Sequence, residues 1–490
     1  MRKSGILMHI TSLPNPYGIG TMGRCAYDFV DFLSEAGQSY WQILPVNPTG
    51  YGDSPYQAIS TFAGNHYLID PDLLIEEGLL TREEVESVQW GWDETQVDFG
   101  TMYKSRCKLL YNAYQRFVQD EEFNHFVLCN SSWLEDYAMF SALKDAFRGR
   151  AWQSWSMTLM LRMPAVMECY RQELQEQIRF HCFLQYKFFQ QWKKLKAYAN
   201  EKGIRIIGDV PIYVPLDSAD VWANPQLFQL DGSCRPLRVA GCPPDSFTAD
   251  GQLWGNPIYD WEKMKETGYA WWIDRLKAAA RMYDVVRLDH FRGFESFWSI
   301  PAGDKTAAGG RWEKGPGMDF IGTIRQALPG LDFIAEDLGF VTEEVRQLQV
   351  ASGYPGMKVL QFAFDSREAG DYLPHTYPEN SVCYSGTHDN LTMVQWFREA
   401  AAEDVAMARD YLGLNEDEGL VNGMIRGAMS SVSKLCIIQM QDYLELGGQA
   451  RMNFPGTLSA DNWTWRVAPG FMTGELKRRI LETTRRYGRI

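Results

Sequence analysis

The sequence contains 490 residues, of which 45% are hydrophobic and 22% charged, so it can form one large α/β barrel or about two or three average domains. Its formal net charge of -14 argues against nucleic acid and anionic membranes as partners, because both require clustered Lys and Arg. No apolar stretch is long enough to span a bilayer. The nine cysteines lack a Cys-x-x-Cys motif, which favours a reducing compartment. We therefore predict a cytoplasmic protein with a neutral substrate.

The first predicted elements are a buried strand, Gly5–Leu13, and an amphipathic helix, Arg24–Gln38. Between them, Gly18–Gly23 matches the G-x-G-x-x-G pattern of a dinucleotide-binding turn, so a nucleotide-dependent oxidoreductase has to be considered. Two prolines lengthen this turn, and the next strand, Tyr40–Val46, ends without the acidic residue that would bind the ribose. The favoured explanation of the three glycines is that a tight loop requires them for its backbone conformation.

Apolar runs predict further strands, and helical segments separate them. A long helical region follows the second strand, and a region rich in Gly, Pro and aromatic residues follows the third. We predict a helix over Glu416–Met440, before the eighth strand, and another over Glu475–Arg486. The remaining predicted strands are Arg205–Val214, Val285–Phe294, Leu331–Gly339, Met357–Phe364, Ser381–Asn390 and Ala450–Leu458.

Eight strands alternating with helices are the count and order of a TIM (β/α)8 barrel, and a doubly wound open sheet is the alternative. We predict one catalytic α/β barrel domain over residues 1–490, with insertions at the C-terminal mouth of the barrel. A mostly helical subdomain occupies approximately residues 65–200, and an aromatic, Gly- and Pro-rich lid loop occupies approximately residues 215–260. Too few residues follow the predicted eighth strand for a C-terminal β domain.

Three carboxylates follow predicted strands, and a barrel would bring all three to one mouth: Asp289, Glu336 and Asp389. Arg287 shares a strand face with Asp289 and should keep this carboxylate ionised, as a nucleophile requires. Glu336 follows an apolar segment, so burial should raise its pKa and hold a proton for a leaving oxygen. Asp389 can bind sugar hydroxyls and stabilise a positively charged transition state. The set predicts glycosyl transfer.

The residues alone leave other roles open. A single acid at a strand end is more often a helix cap or an ion-pair partner than a catalyst. His290 and His388 lie beside two of the acids and could bind a metal, but adjacent residues on a strand point in opposite directions. We therefore predict neither a metal site nor a cofactor.

Short motifs around the three acids resemble those of the α-amylase clan: Arg287–His290, Ala335–Asp337 and Thr387–Asn390. Within that clan, nearly the whole chain resembles the 4-α-glucanotransferases of glycoside hydrolase family 77, the amylomaltases or disproportionating enzymes. Further matching segments are Leu13-Pro14, Pro16-Tyr17-Gly18, Ser54–Tyr56, Gly208–Tyr213, Pro243–Asp245 and Trp254–Pro257. Unlike in ordinary α-amylases, Asp209 is not followed by Asn-His, which favours the transferase branch.

The resemblance implies a retaining double displacement that transfers α-1,4-glucan segments to the 4-hydroxyl of an acceptor glucan or glucose. It implies that Asp289 is the nucleophile, Glu336 the general acid/base and Asp389 the transition-state stabiliser. The implied substrate-binding residues are Arg287, His388, Tyr56, Asp209, Trp254, Asn256 and Asp245. Malto-oligosaccharides are the expected donors and acceptors.

Two alternatives to transfer stay open. A hydrolytic α-glucosidase would use the same carboxylates with water as the acceptor, and sequence alone cannot separate the two activities. A non-catalytic glucan-binding protein would need the aromatic residues but not the carboxylates, so the intact set argues against it.

Overall fold

The computed structural model describes residues 2–50, 52–244, 249–365 and 372–490. The strands are β1 Lys3–Leu7, β2 Tyr40–Gln42, β3 Arg205–Pro211, β4 Arg238–Cys242, β5 Gln252–Pro257, β6 Val285–Asp289, β7 Ser296–Pro301, β8 Arg311–Lys314, β9 Asp332–Ala335, β10 Gly356–Val359, β11 Ser381–Tyr384 and β12 Leu435–Gln439. The helices are α1 Arg24–Glu35, α2 Pro71–Glu76, α3 Arg82–Glu86, α4 Phe99–Arg116, α5 Glu121–Cys129, α6 Ser131–Ala146, α7 Met157–Met160, α8 Pro164–Glu173, α9 Gln175–Glu201, α10 Ala219–Ala223, α11 Trp261–Glu266, α12 Ala270–Met282, α13 Gly317–Ala327, α14 Glu343–Ser352, α15 Met393–Glu399, α16 Ala402–Leu412, α17 Leu420–Ser430, α18 Met440–Tyr443 and α19 Gly474–Arg486. None of these helices combines the length and the apolar character that a bilayer crossing requires.

Eight of the described strands are parallel and close into a barrel, in the order β1, β12, β11, β10, β9, β6, β3 and β2. This closure confirms the predicted TIM barrel and excludes the open doubly wound sheet. Helix α1 buries an apolar stripe against the barrel core, as its sequence spacing predicts. Helices α2 to α9 follow one another between β2 and β3, and the long helix α9 packs against α6 and α1.

The register of the barrel strands brings the acidic residues together. β3 pairs with β6 so that Asp209 lies opposite Arg287. β6 also pairs with β9, whose last residue directly precedes Glu336. Asp289, the last residue of β6, and Glu336 therefore leave neighbouring strands at the same end of the barrel.

The predicted eighth strand, Ala450–Leu458, is wrong. The structure places β12 at Leu435–Gln439, within the segment predicted as the helix Glu416–Met440. Helix α17 ends at Ser430, and every residue of β12 is buried. A barrel strand that is buried on both faces shows no alternation of apolar and polar residues, so it resembles the end of a buried helix. The predicted segment lies mostly in irregular structure after β12.

A second sheet lies outside the barrel. Its strands are antiparallel and follow the order β5, β4, β7, β8. β4 and β5 belong to the region predicted as a lid loop, so that prediction is wrong for these two strands. Their Gly and Pro residues give turn signals, whereas β7, which pairs with β4 on the side away from β5, lies after Asp289 in the sequence.

Arg489 fastens the seam between β1 and β12. Its buried guanidinium donates hydrogen bonds to four backbone carbonyl oxygens, those of Met429 (2.7 Å), Ser431 (2.8 Å), Lys3 (3.0 Å) and Ser433 (3.0 Å). Lys3 begins β1, and Ser433 lies just before β12. The Arg489 side chain therefore forms hydrogen bonds at the start of both strands of the β1–β12 pair, which closes the barrel.

Candidate active site

Arg287 joins two carboxylates at the mouth of the barrel. Its Nη1 lies 2.6 Å from Asp209 Oδ2 and 2.8 Å from Asp289 Oδ1. Burial alone would lower the pKa of Arg287, but the two carboxylates raise this pKa well above its ordinary value, so the guanidinium stays charged. Arg287 and Asp209 are buried, whereas 26% of the Asp289 side chain is exposed and can meet a substrate. The predicted shared face of Arg287 and Asp289 is confirmed.

Glu336 occupies a different environment on the neighbouring strand end. The backbone N–H groups of His290 (2.7 Å) and Leu338 (2.9 Å) donate to its two carboxyl oxygens, and no described cation lies within ion-pair distance. Burial raises the pKa of Glu336 to about 8; Arg287 and the two N–H donors oppose this rise, and Asp289 adds to it. The carboxyl group is therefore protonated at neutral pH, the state expected from the sequence.

The backbone of His290 makes this arrangement possible. His290 is in the left-handed conformation, with φ 54°, directly after β6. The chain turns so that the His290 N–H meets the Glu336 carboxyl group and the Phe291 N–H donates to the Glu336 carbonyl oxygen (3.0 Å). Two consecutive backbone groups next to Asp289 thus fix the position of Glu336.

Asp389 lies after β11 and is held from two sides. Its Oδ2 lies 3.3 Å from His388 Nε2, and its Oδ1 accepts a hydrogen bond from Asn453 Nδ2 (2.6 Å). Arg451 Nη2 donates to the backbone carbonyl oxygen of Asp389 (2.7 Å). These contacts orient the carboxylate and still leave 43% of the side chain exposed.

Tyr56 connects the Arg287 cluster with Asp389. Its hydroxyl donates to Asp209 Oδ2 (2.8 Å), and its ring stacks on the His388 ring with centroids 5.0 Å apart and planes 13° apart. Through these contacts, a continuous path of side chains runs from Asp289 to Asp389.

Two further predicted residues, Trp254 and Asn256, lie on β5. The Trp254 ring meets the His290 ring edge to face, with centroids 4.8 Å apart. Asn256 is buried, and its Oδ1 accepts a 3.4 Å hydrogen bond from Gln57 Nε2, next to Tyr56 in the chain. Asp245 lies outside the described residues.

Three residues at the site were not predicted: Asn453, Arg451 and Trp463. The Trp463 ring lies 5.7 Å from the Tyr56 ring and 5.9 Å from the His388 ring, centroid to centroid. All three follow β12, and the wrong position of the eighth strand hid them. Polar residues among aromatic ones in a Gly- and Pro-containing segment are the signal that could have indicated a mouth loop.

The Gly18–Gly23 loop has a structural explanation. A Cβ atom on Gly20 would lie 1.7 Å from the Ile10 carbonyl oxygen, and one on Gly23 would lie 1.9 Å from Asp70 Oδ2. Asp70 also accepts a 2.5 Å hydrogen bond from Thr21 and caps α2. A carboxylate therefore fills the space at the start of α1 where a dinucleotide pyrophosphate would have to bind.

Comparison with known proteins identifies the family. The sequence profile of the 4-alpha-glucanotransferase family matches residues 8–473. The chain belongs to the 4-α-glucanotransferase family. The 4-alpha-glucanotransferase of Clostridium butyricum is 49% identical over 486 residues, which are 98% of this chain and 100% of the relative. That of Thermus thermophilus is 45% identical over 97% of this chain and 96% of the relative.

The fold agrees with this 4-α-glucanotransferase assignment. The structure of the amylomaltase from Streptococcus agalactiae in complex with acarbose is 42% identical, covers 100% of both chains and superposes with a TM-score of 0.97. In the described ranges, no three His, Cys, Asp or Glu side chains are grouped so that they could hold a metal ion. The mouth of this family member instead offers an ion-paired carboxylate, a buried carboxylic acid and a hydrogen-bonded carboxylate, which suit covalent and proton-transfer chemistry at a sugar.

Proposed function

We propose that this protein transfers segments of α-1,4-glucans from a donor to the 4-hydroxyl of an acceptor glucan or glucose, by double displacement with retention. One observation carries the proposal: on adjacent strand ends, Asp289 is paired with a guanidinium while Glu336 is buried with a pKa of about 8. A nucleophile has to be ionised and a general acid protonated at the same pH, and these two environments favour that combination.

Asp289 attacks C1 of the donor sugar in the first half of the reaction. Glu336 donates its proton to the glycosidic oxygen, so the bond between C1 and this oxygen breaks as the bond from C1 to Asp289 Oδ forms. The reducing-end portion of the donor leaves with the proton. A glycosyl ester on Asp289 and an ionised Glu336 remain.

The second half reverses these roles. Ionised Glu336 removes the proton from the 4-hydroxyl of an acceptor, and the acceptor oxygen attacks C1 and displaces Asp289. Two inversions give net retention at C1. Both catalytic groups return to their starting protonation states, and no cofactor is consumed.

The neighbouring side chains supply binding and charge stabilisation. Asp389, fixed by Asn453, faces the positive charge that develops on the sugar in the transition state. Asp209 Oδ1 is buried without a hydrogen-bond partner among the described residues, and Asp209 Oδ2 holds Tyr56 and Arg287 in position. The Tyr56 ring, supported by His388, offers a flat face to the sugar that reacts, and Trp254 lies over His290 where it can cover an acceptor.

Incubation with maltotriose tests the proposal. Transfer gives glucose together with maltopentaose and longer chains, whereas hydrolysis gives glucose and maltose without elongation. We expect elongation from the wild-type protein and none from Asp289→Asn. Asp274→Asn, an exposed carboxylate on α12, is the matched control and should elongate like the wild type. Glucose and maltose alone would establish a hydrolase instead.

We also propose that the chain acts as one catalytic domain in the cytoplasm. The cytoplasmic location is supported by the cysteines, all nine of which are free thiols. Cys383 and Cys436 lie opposite each other on neighbouring barrel strands and are still not joined. Cell fractionation with an antibody against the protein would test this location.

A further inference from the structure

Two aromatic rings form an exposed pair beside the second sheet. Trp312 on the edge strand β8 and Phe340, before α14, stack with centroids 6.2 Å apart and planes 19° apart. Phe340 is 65% exposed and Trp312 is 37% exposed. A single exposed apolar residue needs no explanation, but two stacked rings that both remain accessible form a surface that can bind a ligand.

A buried cation holds this aromatic pair in place. The Arg292 guanidinium lies 3.8 Å from the centroid of the Trp312 ring. It also donates to the carbonyl oxygen of Phe340 and, over 3.0 Å, to Ser296 Oγ. Arg292 is 3% exposed, so its charge lies beneath the rings and not on the accessible surface. The pair is therefore pre-oriented and presents an uncharged aromatic face.

The aromatic pair is continuous with the acid/base residue of the candidate active site. Phe340 follows Glu336 by four residues, which limits the distance between their Cα atoms to about 14 Å. Between them, the Leu338 N–H donates to Glu336 Oε1 (2.9 Å). Arg292 belongs to the short helical segment Phe291–Phe294 that directly follows the turn at His290. The segment that carries Phe340 and the turn that leads to Arg292 therefore both donate a backbone N–H to Glu336.

We propose that Trp312 and Phe340 form an acceptor subsite that binds an α-glucan chain by stacking on a sugar ring. This inference rests on the proposed function. Glu336 has to contact the oxygen that joins the departing or arriving chain to the reacting sugar, so surfaces continuous with Glu336 adjoin that chain and not the covalently held donor segment. Pyranose rings have an apolar C–H face that matches an uncharged aromatic surface.

The subsite lies beyond the reacting sugar, so it distinguishes long acceptors from short ones. Glucose is too short to occupy both the reaction centre and the aromatic pair, whereas an oligosaccharide can bridge them. Binding energy from the pair should thus lower the KM for long acceptors selectively.

Acceptor kinetics test the inference. With α-maltosyl fluoride as the donor, the KM values for glucose and for maltohexaose are measured for the wild type, Phe340→Ala, Phe340→Tyr and Val350→Ala. We expect Phe340→Ala to raise the ratio of the maltohexaose KM to the glucose KM by about two- to tenfold, the range for one aromatic contact. Phe340→Tyr keeps the ring and should retain the wild-type ratio. Val350 is a matched control, because it is apolar, 74% exposed and lies on α14.

The outcomes are distinct. A ratio for Phe340→Ala equal to that of Val350→Ala overturns the subsite. A loss of kcat by Phe340→Ala with both acceptors, without a change in the ratio, also overturns it, because Phe340 would then act through the backbone that holds Glu336. A wild-type protein that forms no transfer product with either acceptor would overturn the proposed function, and the subsite with it.

Discussion

Asp289 and Glu336 occupy equivalent places in the barrel but opposite electrostatic environments. Each lies at the end of a parallel strand, and the two strands are neighbours. Asp289 is paired with a charged guanidinium and is partly exposed. Glu336 is buried and bound by two backbone N–H groups, and its pKa is raised to about 8. The barrel determines where an acid lies, and its immediate contacts determine whether it holds a proton.

The largest expected effect distinguishes Asp289 from Glu336 by the use of two different donor substrates. With maltotriose, Asp289→Asn and Glu336→Gln should each reduce the rate by a factor of about a hundred to ten thousand or more. With α-maltosyl fluoride, whose leaving group needs no proton, Glu336→Gln should still form the glycosyl-enzyme and release fluoride rapidly, whereas Asp289→Asn should not. Fluoride release under single-turnover conditions measures this difference.

The matched control for these variants is Glu343→Gln, an exposed carboxylate on α14. It should behave like the wild type with both donors. Equal losses of fluoride release in Asp289→Asn and Glu336→Gln would contradict the separation of roles.

Removal of the cation should abolish the contrast between the two environments. Arg287→Met leaves two carboxylates at the mouth without their partner, so we expect the free energy of unfolding to fall by about 3–5 kcal/mol. Urea denaturation measures this change. Arg24→Met removes an exposed i,i+4 pair with Asp28 and should cost less than about 1 kcal/mol. A similar loss in both variants would mean that Arg287 does not stabilise the buried cluster.

A smaller effect on the rate is expected when Asp389 loses the hydrogen bond from the Asn453 side-chain amide. Asn453→Ala removes the 2.6 Å hydrogen bond to Asp389, and a hydrogen bond to a charged group contributes about 1.5–3 kcal/mol. We expect kcat to fall by about ten- to a hundredfold. The dissociation constant for a glucan, measured from the change in protein fluorescence on binding, should change little. Ser459→Ala, in the same segment, is exposed and serves as the control. An unchanged kcat for Asn453→Ala would show that the orientation of Asp389 does not depend on this amide.

The smallest expected effect is a pH dependence. Because free Glu336 has to be protonated to act as an acid and its pKa is about 8, kcat/KM for maltotriose should be constant from about pH 7 toward 8 and should fall about tenfold per unit above it. With α-maltosyl fluoride in single turnover, the basic limb should disappear. A limb near the ordinary Glu pKa of 4.5 would place Glu336 in water and contradict the environment described.

The barrel and the positions of Arg287 and the three mouth carboxylates could be predicted because their signals are local, whereas the other predicted site residues came only from the family resemblance. Arg287 and Asp289 follow apolar residues at alternate positions, so their shared face is a direct consequence of strand geometry. The eighth strand could not be located, because Leu435–Gln439 is buried on all sides and has no period that distinguishes a strand from a helix. The contacts that residues after this strand make with the site could therefore not be predicted either.

Other features depend on contacts between distant residues. Asn453 meets Asp389 across 64 positions of the chain, from an irregular segment with no recognisable motif. The strand β4 is stabilised by pairing with β7, which lies on the other side of β6 in the sequence. No local pattern reports such a pairing, and the glycines of β4 and β5 point toward a loop.

The seam held by Arg489 also determines when the barrel can form. β1 pairs with β12, so Lys3 cannot pair until Leu435 has been synthesised. At ordinary rates of synthesis on the ribosome, about 20 to 90 s separate these two residues. Throughout this interval one edge of β1 has no partner, and Arg489 reaches the seam later still. Non-local pairing of this kind makes folding slow and leaves a strand edge open to aggregation. The nascent chain is therefore a stronger candidate for chaperone protection than the finished barrel.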